Sequence, residues 1–240
     1  MPNPHTVYPL LTWRYALALI TLTFFLHEAH ELVHIFAGWS VCGAFGPRDF
    51  NVWSLAEGCR VIWPTLIGPA FSFALMWLGA YWLYVETEWK RYLGFALVFT
   101  PLPFARILTA AGGGGDEVWA LRRILKDQVA NSGTVAEWTG LALVLLLSIP
   151  PLIVAYRAIG RRRRWAWFLG FLLIPVAIDL AVVLGALNSI LAAGVLAEPW
   201  IWGTPRIITI YTVILLVVLA FFGRHLVTDK LTAEQISEMT

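Results

Sequence analysis

Of 240 residues, 59% are hydrophobic, only 13% are charged and 13 are tryptophan. Apolar runs of about twenty residues recur, the length that crosses a bilayer. No soluble domain fits that composition, which is that of a polytopic helical membrane protein. The formal charge is only +2, and membrane lipid, not nucleic acid, is the expected partner.

Hydropathy divides the chain into six spans, at residues 10–39, 60–84, 92–111, 135–156, 165–192 and 206–223. The expected fold is all-α with about six transmembrane helices. Residues 1–223 then form a single transmembrane domain, and 224–240 a short polar tail. The N-terminus lacks a basic region ahead of a short apolar stretch and a small-residue cleavage site, so the first run is read as a retained span and not a removed signal peptide.

Span one ends in Leu26-His27-Glu28-Ala29-His30-Glu31-Leu32-Val33-His34, which gathers three of the five histidines and two glutamates. Ionisable groups at membrane depth are costly and imply a task. His30 and His34, four residues apart, share one helical face and can reach one zinc ion. Glu31 then lies beside the metal's water and can take its proton as it attacks a carbonyl carbon.

Between spans one and two, Cys42 and Cys59 flank a loop at residues 43–58. Two readings stay open there: a bridge closing the loop, or two independent buried thiols. Phe45, Phe50, Val52, Trp53 and Leu55, with Gly46-Pro47 as a turn, suit an edge hairpin or re-entrant segment over the histidines, presenting an edge to an extended substrate. Span two carries Gly68-Pro69-Ala70-Phe71-Ser72. Span three carries Pro101, Pro103 and Arg106 and runs into Gly112–Gly115 and Asp116. The glycines either let the chain leave helical geometry beside a cavity or simply connect it to the next helix.

Residues 116–130 have the pattern of an amphipathic helix at the interface or in a soluble loop. Arg106 and Asp179 fall at similar depth in spans three and five and are expected to pair, with Asp179 as metal ligand the competing idea. Arg157 and Arg161–Arg164 form the dominant basic cluster and set the loop after span four as cytoplasmic. Lys90, Arg91, Arg224, Lys230 and both termini then share that side, and the histidines lie toward the other.

These residues resemble the intramembrane zinc metalloproteases of the site-2 protease family, over roughly residues 10–120. The resemblance rests on His30-Glu31-Leu32-Val33-His34, on Gly68-Pro69 in the second span and on an acidic residue after a proline- and glycine-rich third. It implies His30 and His34 as zinc ligands, Glu31 as general base and Asp116 as the third ligand. Gly115-Asp116-Glu117 stands where the family has Leu-Asp-Gly, no asparagine precedes Pro101 or Pro103, and the site falls on the extracytoplasmic side, whereas the family works nearer the cytoplasmic face.

His27 and Glu28 repeat the same chemistry one turn earlier. A three-histidine site, a two-metal carboxylate-histidine centre and a supporting hydrogen bond from His27 all remain open, the last being preferred. The expected function is a zinc-dependent intramembrane hydrolase that cleaves a peptide bond of a membrane-protein or peptide substrate, in a bacterial inner membrane. The rivals are a lipid-acting metalloenzyme (amide hydrolase or iron oxidase) and a non-enzymatic subunit of a larger membrane complex that ligates a pigment or haem.

Overall fold

The computed structural model describes residues 6–160 and 162–232. Arg161 of the arginine cluster and residues 233–240 of the tail lie outside them. Among the described residues the architecture is all-α, and six helical segments are long and apolar enough to cross a membrane: Trp13–Cys42, Pro64–Trp82, Glu88–Ala111, Ser132–Ala158, Arg164–Ala192 and Arg206–Thr228.

Helix α1 (Trp13–Cys42) is defined at both ends by local chemistry. The Thr12 hydroxyl accepts from the Tyr15 amide at 3.0 Å, and Gly43 adopts φ 71°, returning its N–H to the Trp39 carbonyl. Helix α2 (Pro64–Trp82) opens on a proline, whose missing N–H costs nothing in a first turn. The third span is broken. Helix α3 (Glu88–Phe99) stops before Pro101, Leu102 takes φ 56°, and Pro103 opens α4 (Pro103–Ala111). Two prolines one residue apart remove two amide donors, so one continuous helix would leave carbonyls unmatched.

A turn through Gly113 (φ 72°) and Gly115 (φ 87°) leads into α5 (Asp116–Leu125). This helix is shorter than the expected amphipathic segment, and it buries Glu117, Val118 and Ala120 against α6 (Ser132–Ala158) and α2. Helix α7 (Arg164–Asp179) changes winding after Asp179 and continues as a π-helix over Leu180–Leu187 and then as α8 (Asn188–Ala192). Helices α9 (Arg206–Phe222) and α10 (His225–Thr228) close the chain. Helix α1 packs between α2 and α9.

The main core is aromatic. Tyr15 of α1, Phe95 and Phe99 of α3 and Phe171 of α7 have ring centroids 4.9 to 6.3 Å apart. At the end of the bundle where α1 begins, Val7 pairs with Ile159 and Pro9 with Lys230, and Thr12 bonds Asp229. Lys230 also pairs with Glu88 there. The N-terminal ends of α1 and α3 and the C-terminal ends of α6 and the last span therefore meet at one end, together with Lys90, Arg91, Arg157, Arg224 and Lys230.

Candidate metal centre

The polar residues of α1 point into the bundle. Glu28, His30, Glu31 and His34 are all buried, and His34 is fully so. Room for the two imidazoles comes from Gly68 on α2. A Cβ there would lie 2.1 Å from His34 Nε2 and 2.6 Å from His30 Cε1. The third member arrives from α5: Asp116 occupies its first turn, where backbone N–H groups favour a negative charge. The glycine turn directs it there, with the Gly114 amide donating to the Thr109 carbonyl at 2.9 Å.

The ligand-type atoms converge. His30 Nε2 and His34 Nε2 are 3.1 Å apart, and Asp116 Oδ2 lies 3.3 Å from the first and 3.4 Å from the second. Zinc bonds of about 2.0–2.1 Å in a tetrahedron put neighbouring donors ~3.3 Å apart, so the three atoms fit one face of such a site. The tautomers matter as much as the distances. His34 Nδ1 lies 2.7 Å from the Pro64 carbonyl, which only accepts, so Nδ1 carries the proton and the neutral ring turns a lone pair toward the cluster. His30 Nδ1 meets the Ser72 hydroxyl at 3.1 Å. Facing lone pairs and a carboxylate form a donor set that a divalent cation satisfies.

Glu31 sits beside this group. It is buried, and among the described residues its Oε2 has no hydrogen-bond partner, an uncommon state for a buried carboxylate and one that a metal-bound water would relieve. Arg106 of α4 lies on the other side. Its guanidinium contacts His30 Nδ1 at 2.7 Å and Nε2 at 3.0 Å, and Glu117 at 3.2 Å, with the Phe73 ring beneath it. A cavity of about 800 Å³ joins these groups, lined also by Trp53, Ser54 and Leu55 and on its apolar side by Leu26, Leu102, Leu180 and Leu184.

The loop after α1 forms the cavity's roof. Cys42 and Cys59 are disulfide-bonded, which settles the alternative left open by the sequence. Arg48 and Trp53 form a single bridge pair, and the Trp53 ring stacks on His34 at 4.7 Å with 12° between planes. Arg48 is anchored to Glu28 by two bonds of 2.9 and 2.7 Å, with both side chains almost completely buried. Glu28 is thereby committed to the loop and does not join the metal group.

The expected Arg106–Asp179 pair does not form. Arg106 instead engages Glu117 and His30, while Asp179 meets His27, Nδ1 to Oδ1, at 2.8 Å. Equal depth along two helices leaves their rotation open, and Glu117 lies only eleven residues beyond Arg106, across the glycine turn. His27 therefore reaches α7 and not the triad, and Asp179 is not among the converging ligands.

The sequence pairs neither Arg48 with Glu28 nor Arg106 with His30, while Trp53, expected as part of a segment over the histidines, stacks directly on His34. The available signal for Arg48 was its place as the single arginine of residues 43–58. Comparison with protein-family models, with curated proteins and with solved structures returns no match for this chain.

Proposed function

We propose that the chain is a zinc-dependent hydrolase of the membrane, most simply a protease cutting a peptide bond in or beside the bilayer, with His30, His34 and Asp116 holding the metal. The observation that carries this reading is the pair of imidazole Nε2 atoms facing one carboxylate oxygen at 3.1–3.4 Å, beside a buried glutamate with an unpaired oxygen. Zinc in such a site acidifies its water and polarises a carbonyl.

The remaining work belongs to the chain's own residues. Glu31 accepts the water's proton at its free oxygen, as a general base. The Arg106 guanidinium, tethered by Glu117, offsets negative charge growing on the carbonyl oxygen. Trp53 holds the His34 ring flat and narrows access for bulk water. Leu26, Leu102, Leu180 and Leu184 give the cavity an apolar wall suited to a substrate drawn from lipid. This is the reading to which the resemblance to site-2 proteases also leads.

The same reasoning orients the chain. Lys90, Arg91, Arg157, Arg162–Arg164, Arg224 and Lys230 favour a cytoplasmic position for their end, and so for both termini, in a bacterial inner membrane. The Cys42–Cys59 bridge at the far end of α1 suits the oxidising side.

Metal analysis of chelator-free protein, followed by hydrolysis of a quenched fluorescent peptide mixture in liposomes, tests the reading. One zinc per chain, and loss of that zinc in His30→Ala and His34→Ala, is expected. Iron in place of zinc would favour the oxidase reading, and an absorbing chromophore the subunit reading.

A further inference from the structure

The His27–Asp179 pair is the strongest feature that the metal group leaves unused. Two ionisable side chains from different spans are brought together at membrane depth, an arrangement too costly to keep without return. Joining α1 to α7 is the plain role for it, but three observations exceed that role. Among the described residues, His27 hydrogen-bonds only through Nδ1, to Asp179, leaving Nε2 free. His27, Asp179 and Glu31 line the same cavity, and the His27 side chain is 14% exposed. Asp179 is the last residue of α7 before the winding widens into the π-helix at Leu180, a departure from regular winding that is frequent at functional sites.

A buried carboxylate on Nδ1 fixes the ring's orientation, and the protonated ring carries an N–H at Nε2 that faces no other partner among the described residues. Glu31 lies one turn further along α1. We propose that His27, positioned by Asp179, is a second catalytic residue, donating its Nε2 proton to the nitrogen that leaves. This rests on the hydrolase reading above.

The step balances. The water oxygen bonds to the carbonyl carbon as Glu31 takes one of its protons, the C–N bond breaks, and the departing nitrogen keeps the bond's electron pair and takes the proton from His27. The proton held by Glu31 then passes one turn back along the helix to His27, restoring both groups. Glu31 thus serves chiefly as the base and His27 as the acid, so neither must reach both faces of the scissile bond. Asp179 touches no substrate and acts by positioning.

The test uses the full chain, zinc-loaded and reconstituted in liposomes, with the quenched fluorescent peptide mixture as substrate and acetohydroxamate as a zinc-directed probe. His27→Gln and Asp179→Asn should keep one zinc per chain and bind acetohydroxamate within a few-fold of the parent. Their kcat should fall by about 10²-fold or more with KM little changed, as loss of a proton donor predicts. His27→Gly should regain turnover when free imidazole is added, and Asp179→Asn should not. A purely structural pair would lose zinc or fold in both variants, or give no imidazole rescue, and either result overturns the proposal. Full turnover in His27→Gln beside an inactive Glu31→Gln removes His27 while leaving the hydrolase reading intact. A parent protein that holds zinc and hydrolyses no peptide overturns both.

Discussion

Gly68→Ala adds one methyl group and should empty the metal site. The new Cβ would stand 2.1 Å from His34 Nε2, against the 3.4 Å at which ordinary contact begins. The imidazole must therefore retreat by about 1.3 Å or rotate away, whereas zinc sites tolerate displacements of only about 0.2 Å. The ring cannot retreat far, because Trp53 stacks on one face and its Nδ1 is tied to the Pro64 carbonyl. Altering a group that merely supports a ligand costs about 10- to 100-fold in affinity, so displacing the ligand itself should cost at least about 100-fold, or ~2.7 kcal/mol. Alanine is also the better helix former, so α2 should persist. The measurement is zinc competition against a chelator on detergent-purified protein, with helicity followed by circular dichroism. Gly170→Ala, whose methyl would meet only Ile174 at 3.9 Å, is the control and should bind zinc like the parent. Zinc affinity within about three-fold of the parent in a normally helical Gly68→Ala protein, judged against the 100-fold expectation, would refute the argument that the imidazoles meet a metal beneath α2.

Glu31→Gln should keep both zinc and helicity while lowering peptide turnover by about two to four powers of ten, the range that general-base catalysis supplies; unchanged turnover would remove the hydrolytic mechanism. Arg48→Ala should destabilise by about 3–5 kcal/mol in denaturant titration because it strands a buried Glu28 carboxylate, and the double variant Arg48→Met with Glu28→Gln should recover most of that loss. An equal loss in both would show that the loop is held by something else. Burial raises the Asp229 carboxyl, but hydrogen bonds from Thr12 and His225 outweigh it and hold the group below its usual range. Its stabilisation of the terminal contact should then be complete above about pH 4 and fade as the pH falls through the lowered value. Protection factors of amides around Tyr8, corrected for the intrinsic exchange rate, should fall as the pH is lowered below about 4 while the spans stay protected, and unchanged protection would count against this.

The helices and the motif were legible because both depend on spacing. Apolar runs of bilayer length set the spans, and His30 and His34 four apart must share a face wherever α1 lies. The rest depended on rotation about helix axes and on loop paths, which periodicity does not encode. Arg106 and Asp179 stand at matching depth yet face different neighbours. Pro101 and Pro103 announced a disturbance, but nothing marked the left-handed turn at Leu102 as the break between α3 and α4. The π-helix after Asp179 has no residue signature, because Leu180–Leu187 is as apolar as any regular span. Nothing in the spacing pairs Arg48 with Glu28, because that bond depends on a fold that returns residues 43–58 over α1.

The contact between Thr12 and Asp229 joins groups 217 positions apart, while His30 and Asp116 are 86 apart and both lie in the first half of the chain. Contact order therefore differs sharply between the two ends of the bundle. During synthesis the histidines and their carboxylate can meet as soon as α5 has emerged. The start of α1 waits for the last residues of the final span before it is clasped. Late, non-local closure of this kind is slow relative to local helix pairing, so maturation of this chain would be timed at the end remote from its chemistry.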